Sequence, residues 1–202
     1  KVYFDATLGH NVSEMILAQD LVLPYYAKSL EKAARITHVM HLSNNEIHER
    51  VLRGVFLDHL ATNTPGQAAA STALTQVYDK LHGVRPAAGD PDTPHTVIEQ
   101  HCYLDLDEDG YAEPYIVTVS LEDKKLLRIV ARYFSEVITY LDGKVAYINP
   151  QQFFVKYGMI PSPDGGIYDL GFGTLLGPLN ETVNTLINQL LDAGTLSNMG
   201  GG

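Results

Sequence analysis

Short connections between strand-like runs constrain this chain more than any other feature. Between Thr96 and Tyr157 the apolar pattern has the period of strands, with runs at Val97–Leu106, Tyr111–Ser120, Leu126–Phe134, Lys144–Ile148 and Gln152–Tyr157. Only Asp107-Glu108-Asp109-Gly110 separates the first run from the second, and only Leu121–Lys125 separates the second from the third. Linkers this short cannot carry a crossover from one end of a sheet to the other, so neighbouring strands must run antiparallel. The centre of the chain therefore predicts a β-meander. Helical patterns on both sides make the fold class α+β, with antiparallel strands flanked by a few helices.

Upstream, Glu14–Leu23 is apolar, tolerant of β structure and closed by Pro24, which suits an edge strand, and a second strand is expected at Arg35–Leu42. Ser43 and Glu46 then form a capping box, with Leu42 and Ile47 as its hydrophobic staple, so a short helix is expected from Asn44 to about Arg53, ending at Gly54. Thr64-Pro65-Gly66-Gln67 opens a second helix, whose apolar positions Ala70, Ala73, Leu74, Val77, Tyr78 and Leu81 recur at spacings of three and four before Gly83. Val84–Pro94, with Pro86, Pro91 and Pro94, has a composition that cannot order itself by burial and is expected to be a mobile loop. Pro161–Gly177 is glycine-rich. Pro178 then opens a helix with Leu179, Val183, Leu186, Ile187, Leu190 and Leu191 as a buried stripe, Asn180, Glu181, Asn184, Asn188 and Asp192 on the other face, and Gly194 as its stop. The expected organisation is a β/α segment at 1–61, a helix and Pro-rich loop at 62–94, an antiparallel β region at 95–160, and a Gly-rich turn with an amphipathic helix at 161–202.

Composition excludes several classes. With 202 residues and 45% apolar content the chain can bury a core without disulfides or metal, and its single cysteine, Cys102, closes no intrachain bridge. No apolar run reaches the length of a membrane helix, and Lys1–Asp5 does not make a signal peptide, so a soluble chain is expected. The formal charge of −10, from 24 acidic and 14 basic side chains, repels phosphates and argues against a module that grips nucleic acid. Both ends look cut, and the chain reads as a fragment of a longer protein.

Few constellations carry chemistry. Asp105, Asp107 and Asp109 before Gly110 reproduce the first half of a calcium loop, but Ile116 stands where the closing carboxylate belongs and the flanks are strands. The expectation is a hairpin turn with Gly110 at positive φ and no functional metal site; the alternative is a calcium-dependent binding or adhesion module built on Asp105–Gly110. Gly171, Gly173 and Gly177 resemble a phosphate loop only loosely, and a structural glycine turn is expected. The eight histidines are scattered. His38 and His41 point to opposite faces of one strand, His48-Glu49 lacks a second histidine, and His101 faces away from Cys102. A hydrolase would need histidines and carboxylates converging from distant positions. No catalytic residue and no cofactor is assigned.

Three blocks together resemble the portal protein of tailed bacteriophages and prophages. They are Val97–Val119, with Asp105 to Gly110 and Tyr111-Ala112-Glu113-Pro114-Tyr115 at its centre; Phe153–Gly173; and Leu175–Thr195. Their order and spacing also fit the family. Asp20–Gly54 is compatible with it, while Thr62–Pro94 has no counterpart and reads as an insertion. The resemblance implies an internal piece of a much longer subunit that builds a ring, typically a dodecamer, at one capsid vertex. Its partners would be the terminase large subunit, capsid and head–tail connector proteins, and duplex DNA that passes the channel without tight binding. It implies a virion location, assembly in the bacterial cytoplasm, and no enzymatic activity. The 202-residue chain alone is expected to be mainly monomeric, because its last helix buries its stripe internally and much of the ring contact lies elsewhere.

Overall fold

The computed structural model describes residues 1–5, 8–59, 66, 73–84 and 90–200, arranged in two compact units. Unit 1 holds residues 1–26 and 31–155, and unit 2 holds residues 27–30 and 156–202.

Unit 1 starts with an antiparallel hairpin of β1 (Val2–Asp5) and β2 (His10–Ser13). A two-residue β3 (Leu21–Val22) and the longer β4 (Ile36–Leu42) follow, then α1 (Asn44–Leu52) and α2 (Ala73–His82). The long strands are β5 (His95–Leu104), β6 (Glu113–Ser120) and β7 (Leu126–Ala131). A second hairpin, β8 (Ile138–Leu141) with β9 (Lys144–Ile148), completes the regular structure. The principal sheet has five strands in the order β3-β4-β5-β6-β7, antiparallel throughout, so the meander and the α+β class both hold.

One face of this sheet makes the core. Leu42, Ile47, Phe56, Val97 and Leu127 form the buried cluster, and Met40 and Val51 pack against it. Cross-strand register explains the selection: Met40 lies opposite Val97 and Leu42 opposite His95, so the even positions of β4 share a face with the odd positions of β5. A bulge lets Leu127 join them. Thr118 pairs with Arg128 and Val119 with Leu126, which leaves Leu127 as the extra residue; it is fully buried, and its carbonyl accepts the Leu57 N–H at 2.7 Å. The capping box of α1 forms as expected, with the Glu46 N–H donating to Ser43 Oγ and the Ser43 N–H donating to Glu46 Oε2. Leu42 and Ile47 both enter the core, and Gly54 ends the helix at φ +68°.

Several expectations need correction. Residues 14–17 are not strand: β2 comes earlier, Ala18–Asp20 is a 3-10 turn, and only Leu21–Val22 pairs, at the sheet edge. Gln152–Tyr157 is not a strand either; Val155 and Tyr157 are exposed, and the segment is held through single bonds such as the Val2 N–H donating to the Phe153 carbonyl at 2.7 Å. The β8 strand was not signalled, because its four residues lie mostly exposed and show no one-sided pattern. On α2 the apolar residues Val77, Tyr78 and Leu81 are exposed, so this helix does not bury its stripe. The expected opening of α2 at Thr64-Pro65 and at Gln67, and the centre of the Pro-rich loop at 85–89, lie outside the described residues. At the end of that loop Asp90–Thr93 forms a turn, with the Asp92 N–H donating to Asp90 Oδ1.

Unit 2 contains an isolated antiparallel bridge between Ile160 and Leu170 and the 28-residue helix α3 (Phe172–Met199). The helix begins at Phe172, with Gly171 as its N-cap, rather than at Pro178, and neither Pro178 nor Gly194 bounds it. Leu175 and Leu176 extend the apolar spacing backward from Leu179, and this periodicity outweighs the one hydrogen bond that Pro178 cannot donate. No residue of α3 is buried: the exposure of its large apolar side chains runs from 38% at Leu175 to 76% at Met199. The stripe expected to be internal is uncovered within its own unit, so the expectation of a monomer loses that premise.

Candidate functional site

The loop between β5 and β6 holds the acidic residues singled out in the sequence. Gly110, at φ +90°, and Glu108, at φ +61°, give the chain its reversal. The Gly110 N–H donates to Asp105 Oδ2 at 3.0 Å and the Tyr111 N–H to Asp109 Oδ1 at 2.7 Å, so two aspartates hold the turn. Asp105, Asp107 and Asp109 are exposed, yet one carboxylate oxygen from each lies within 4.8 Å of those of the other two. Ile116 is buried in the middle of β6 and cannot reach the loop. Glu113, unremarked in the sequence, is the first residue of β6, opposite Leu104. It is only 7% exposed, and its Oε2 is buried without a hydrogen-bond partner. Burial pushes its carboxyl above the ordinary range, and the charges of Asp107, Asp109 and Asp105 push the same way.

A second polar cluster lies on the core face of the sheet. Glu99 sits opposite His38 on β4 and Thr118 on β6, and it shares its face with His101 two residues on. Its Oε1 accepts from Lys1 Nζ at 2.6 Å and from His101 Nε2 at 3.1 Å. Burial alone would raise the Glu99 carboxyl, but the His101 hydrogen bond and the charge and hydrogen bond of Lys1 outweigh it and hold the group down at about 2. Burial lowers both His38 and His101, which therefore stay neutral at pH 7. Phe153 and Phe154 close over His101 edge-on, at 5.6 and 4.8 Å between ring centroids. Aromatic walls and a buried ion pair fit a structural lock between the first residues of the chain and the sheet.

The remaining residues of interest stay apart. His38 is buried and His41 exposed, on opposite faces of β4. His95 bridges Glu122 (Nδ1···Oε2, 2.8 Å) and Asn44 (Nε2···Oδ1, 2.7 Å), tying β5 to α1 and to the β6–β7 turn. Cys102 is buried and its thiol is pushed up by that burial, the opposite of an activated nucleophile. Gly171 is the N-cap of α3, and Gly173 and Gly177 lie inside the helix, so the glycine run is not the separate turn expected. Along one face of α3 an open groove is lined by Pro178, Glu181, Thr182, Thr185, Leu186 and Gln189. No helix among the described residues is long and apolar enough to cross a membrane.

The sequence does carry a signal for Glu113 and for Glu99. Glu113 follows Asp105 by eight positions, just where the returning strand begins. Glu99 occupies an odd position of β5, whose odd positions from His95 to His101 are all buried. No protein-family model and no curated protein matches the chain.

Proposed function

We propose that this chain works by assembly rather than by chemistry, as part of a subunit whose surfaces are completed by neighbouring copies. More particularly, we propose an internal piece of a phage portal subunit, forming with other copies the capsid-vertex ring through which terminase packages DNA and DNA later leaves. The observation that carries this proposal is the ordered likeness of three separate blocks to that family. Those blocks fall on the β5–β6 hairpin, on the segment leading into α3, and on α3 itself.

Two physical features support it. The apolar stripe of α3 is uncovered within its unit, and each large aliphatic side chain left in water forgoes about 1.5–3 kcal/mol. A helix about 42 Å long, by its rise per residue, is an economical way to present such a stripe to adjacent subunits. The charge of −10 suits a wall past which a duplex must slide, since tight neutralisation of phosphates would stall it. A catalytic role has less support, because His38 and His101, which lie beside Glu99, are buried in the sheet, and the lone thiol is buried as well. Electron microscopy of the complete gene product is the test: rings with a central channel are expected, and particles without rings would overturn the proposal.

A further inference from the structure

Local propensity does not hold α3 together. Gly173, Gly177, Pro178 and Gly194 lie inside it, and glycine and proline are the weakest helix formers. A helix of this composition is stabilised by packing an apolar face, yet no residue of α3 is buried. The face needs a covering surface.

The spacing of the apolar residues defines that surface. Phe172, Leu176, Leu179, Val183, Leu186 and Leu190 follow one another at alternating steps of four and three, and Ala193 continues the series. A period of about 3.5 residues sustained from Phe172 to Ala193 matches a second helix, wound with the first in a left-handed coiled coil. A helix that packs only on a globular core does not need so strict a repeat. All six large side chains of this seam are 51–72% exposed.

The charges favour a second copy of the same helix. Beside the seam stand Gly173, Leu175, Asn180, Thr182, Ile187 and Gln189, all uncharged, whereas the choice of a foreign coiled-coil helix is normally set by charges at those positions. The charged residues of α3, Glu181 and Asp192, fall on the opposite face by helical spacing. Two copies of a chain with a net charge of −10 repel each other in general, but along this seam they meet no like charge. The area is sufficient. With Leu175 and Ile187 alongside, the seam leaves on the order of 500 Å2 of apolar side chain open on each copy, so a pair buries about 1,000 Å2, the size at which specific interfaces begin.

We propose that α3 pairs with α3 of a second copy of this chain, seam against seam, in a two-stranded left-handed coiled coil. Both copies use the same patch, so the contact is isologous and ends at two. A closed ring needs a further, different contact. The pairing therefore does not rest on the portal reading, and either can fail without the other.

Sedimentation equilibrium of the 202-residue chain at up to about 100 µM is the test. A monomer to dimer equilibrium is expected, with at least half of the chain paired at the top of that range and the far-ultraviolet helix signal rising as pairs form. Leu179→Asp, in the middle of the seam, is expected to weaken pairing by ~100-fold or more. Leu191→Asp is the control: its side chain is 64% exposed, against 62% for Leu179, but it lies outside the seam, and a change of less than ~3-fold is expected. Both side chains stand in water in the single chain, so neither change disturbs the fold, and the urea transition of the sheet verifies this. A chain that stays monomeric throughout, or one that associates beyond two copies, would overturn the pairing. Equal losses from Leu179→Asp and Leu191→Asp would also overturn it, because they would show apolar clumping without a seam.

Discussion

Glu99 shows how one residue can set the acid response of the whole sheet. Its carboxyl is held at about 2 against an ordinary 4.5, so the stability it contributes is complete above about pH 4.5 and is lost as the pH falls toward 2. His38 and His101 are held below 6.5 by burial, so below that pH the unfolded chain takes up protons first and folding is disfavoured. Urea denaturation across a pH series is therefore expected to show stability falling in two stages, one starting below about pH 6.5 and one below about pH 4.5. A profile flat from pH 7 to pH 4 would contradict the buried, neutral histidines. Glu99→Gln is expected to cost about 3 kcal/mol at neutral pH, since it leaves the nearly buried Lys1 ammonium without its anion, and to abolish the second stage. Residues of this kind were hardest to read in the sequence. A glutamate or histidine at an inward strand position looks like any polar residue until the fold brings Lys1 against Glu99 and Phe154 against His101.

At the scale of elements, legibility followed how locally each signal acts. The capping box and staple of α1 involve neighbours in sequence, and all of their contacts form. Ser43→Ala is expected to cost about 1 kcal/mol and Ile47→Ala, at a fully buried position, about 2–5 kcal/mol, both measurable by thermal or urea denaturation. Equal, negligible losses would mean that α1 does not cap the core as described. The meander from β5 to β7 was legible for the same reason, because its short turns leave one topology. Gln152–Tyr157 misled because alternating apolar residues can also bury individual rings, as Phe154 does, without joining a ladder. The start of α3 misled because Pro178 has the chemistry of a first-turn residue, while Leu175 and Leu176 carry the helical spacing past it. Periodicity in α2 and α3 marked the apolar faces correctly but not what covers them. With the α3 stripe exposed, sedimentation of the chain at micromolar concentration is expected to show self-association, and paired Leu186→Asp and Leu190→Asp changes are expected to abolish it. A parent chain that stays monomeric would remove α3 from the contacts between copies.

For the whole molecule, charge and assembly make separate demands. A net charge of −10 opposes the counterion release that dominates nonspecific DNA affinity, so fluorescence anisotropy at about 150 mM salt is expected to show no duplex binding at micromolar protein. Tight binding would be incompatible with a wall past which DNA slides. Weak binding by itself separates few alternatives, because many acidic proteins share it.

Assembly discriminates more sharply. The central claim is that these units complete themselves in a closed ring of identical subunits, and the most direct measurement is electron microscopy of the complete gene product bearing this sequence. Closed rings of uniform subunit number, with a central channel wide enough for a DNA duplex, are the expected result. A product that remains monomeric, or associates only into open or irregular particles under every condition that keeps it folded, would contradict the account.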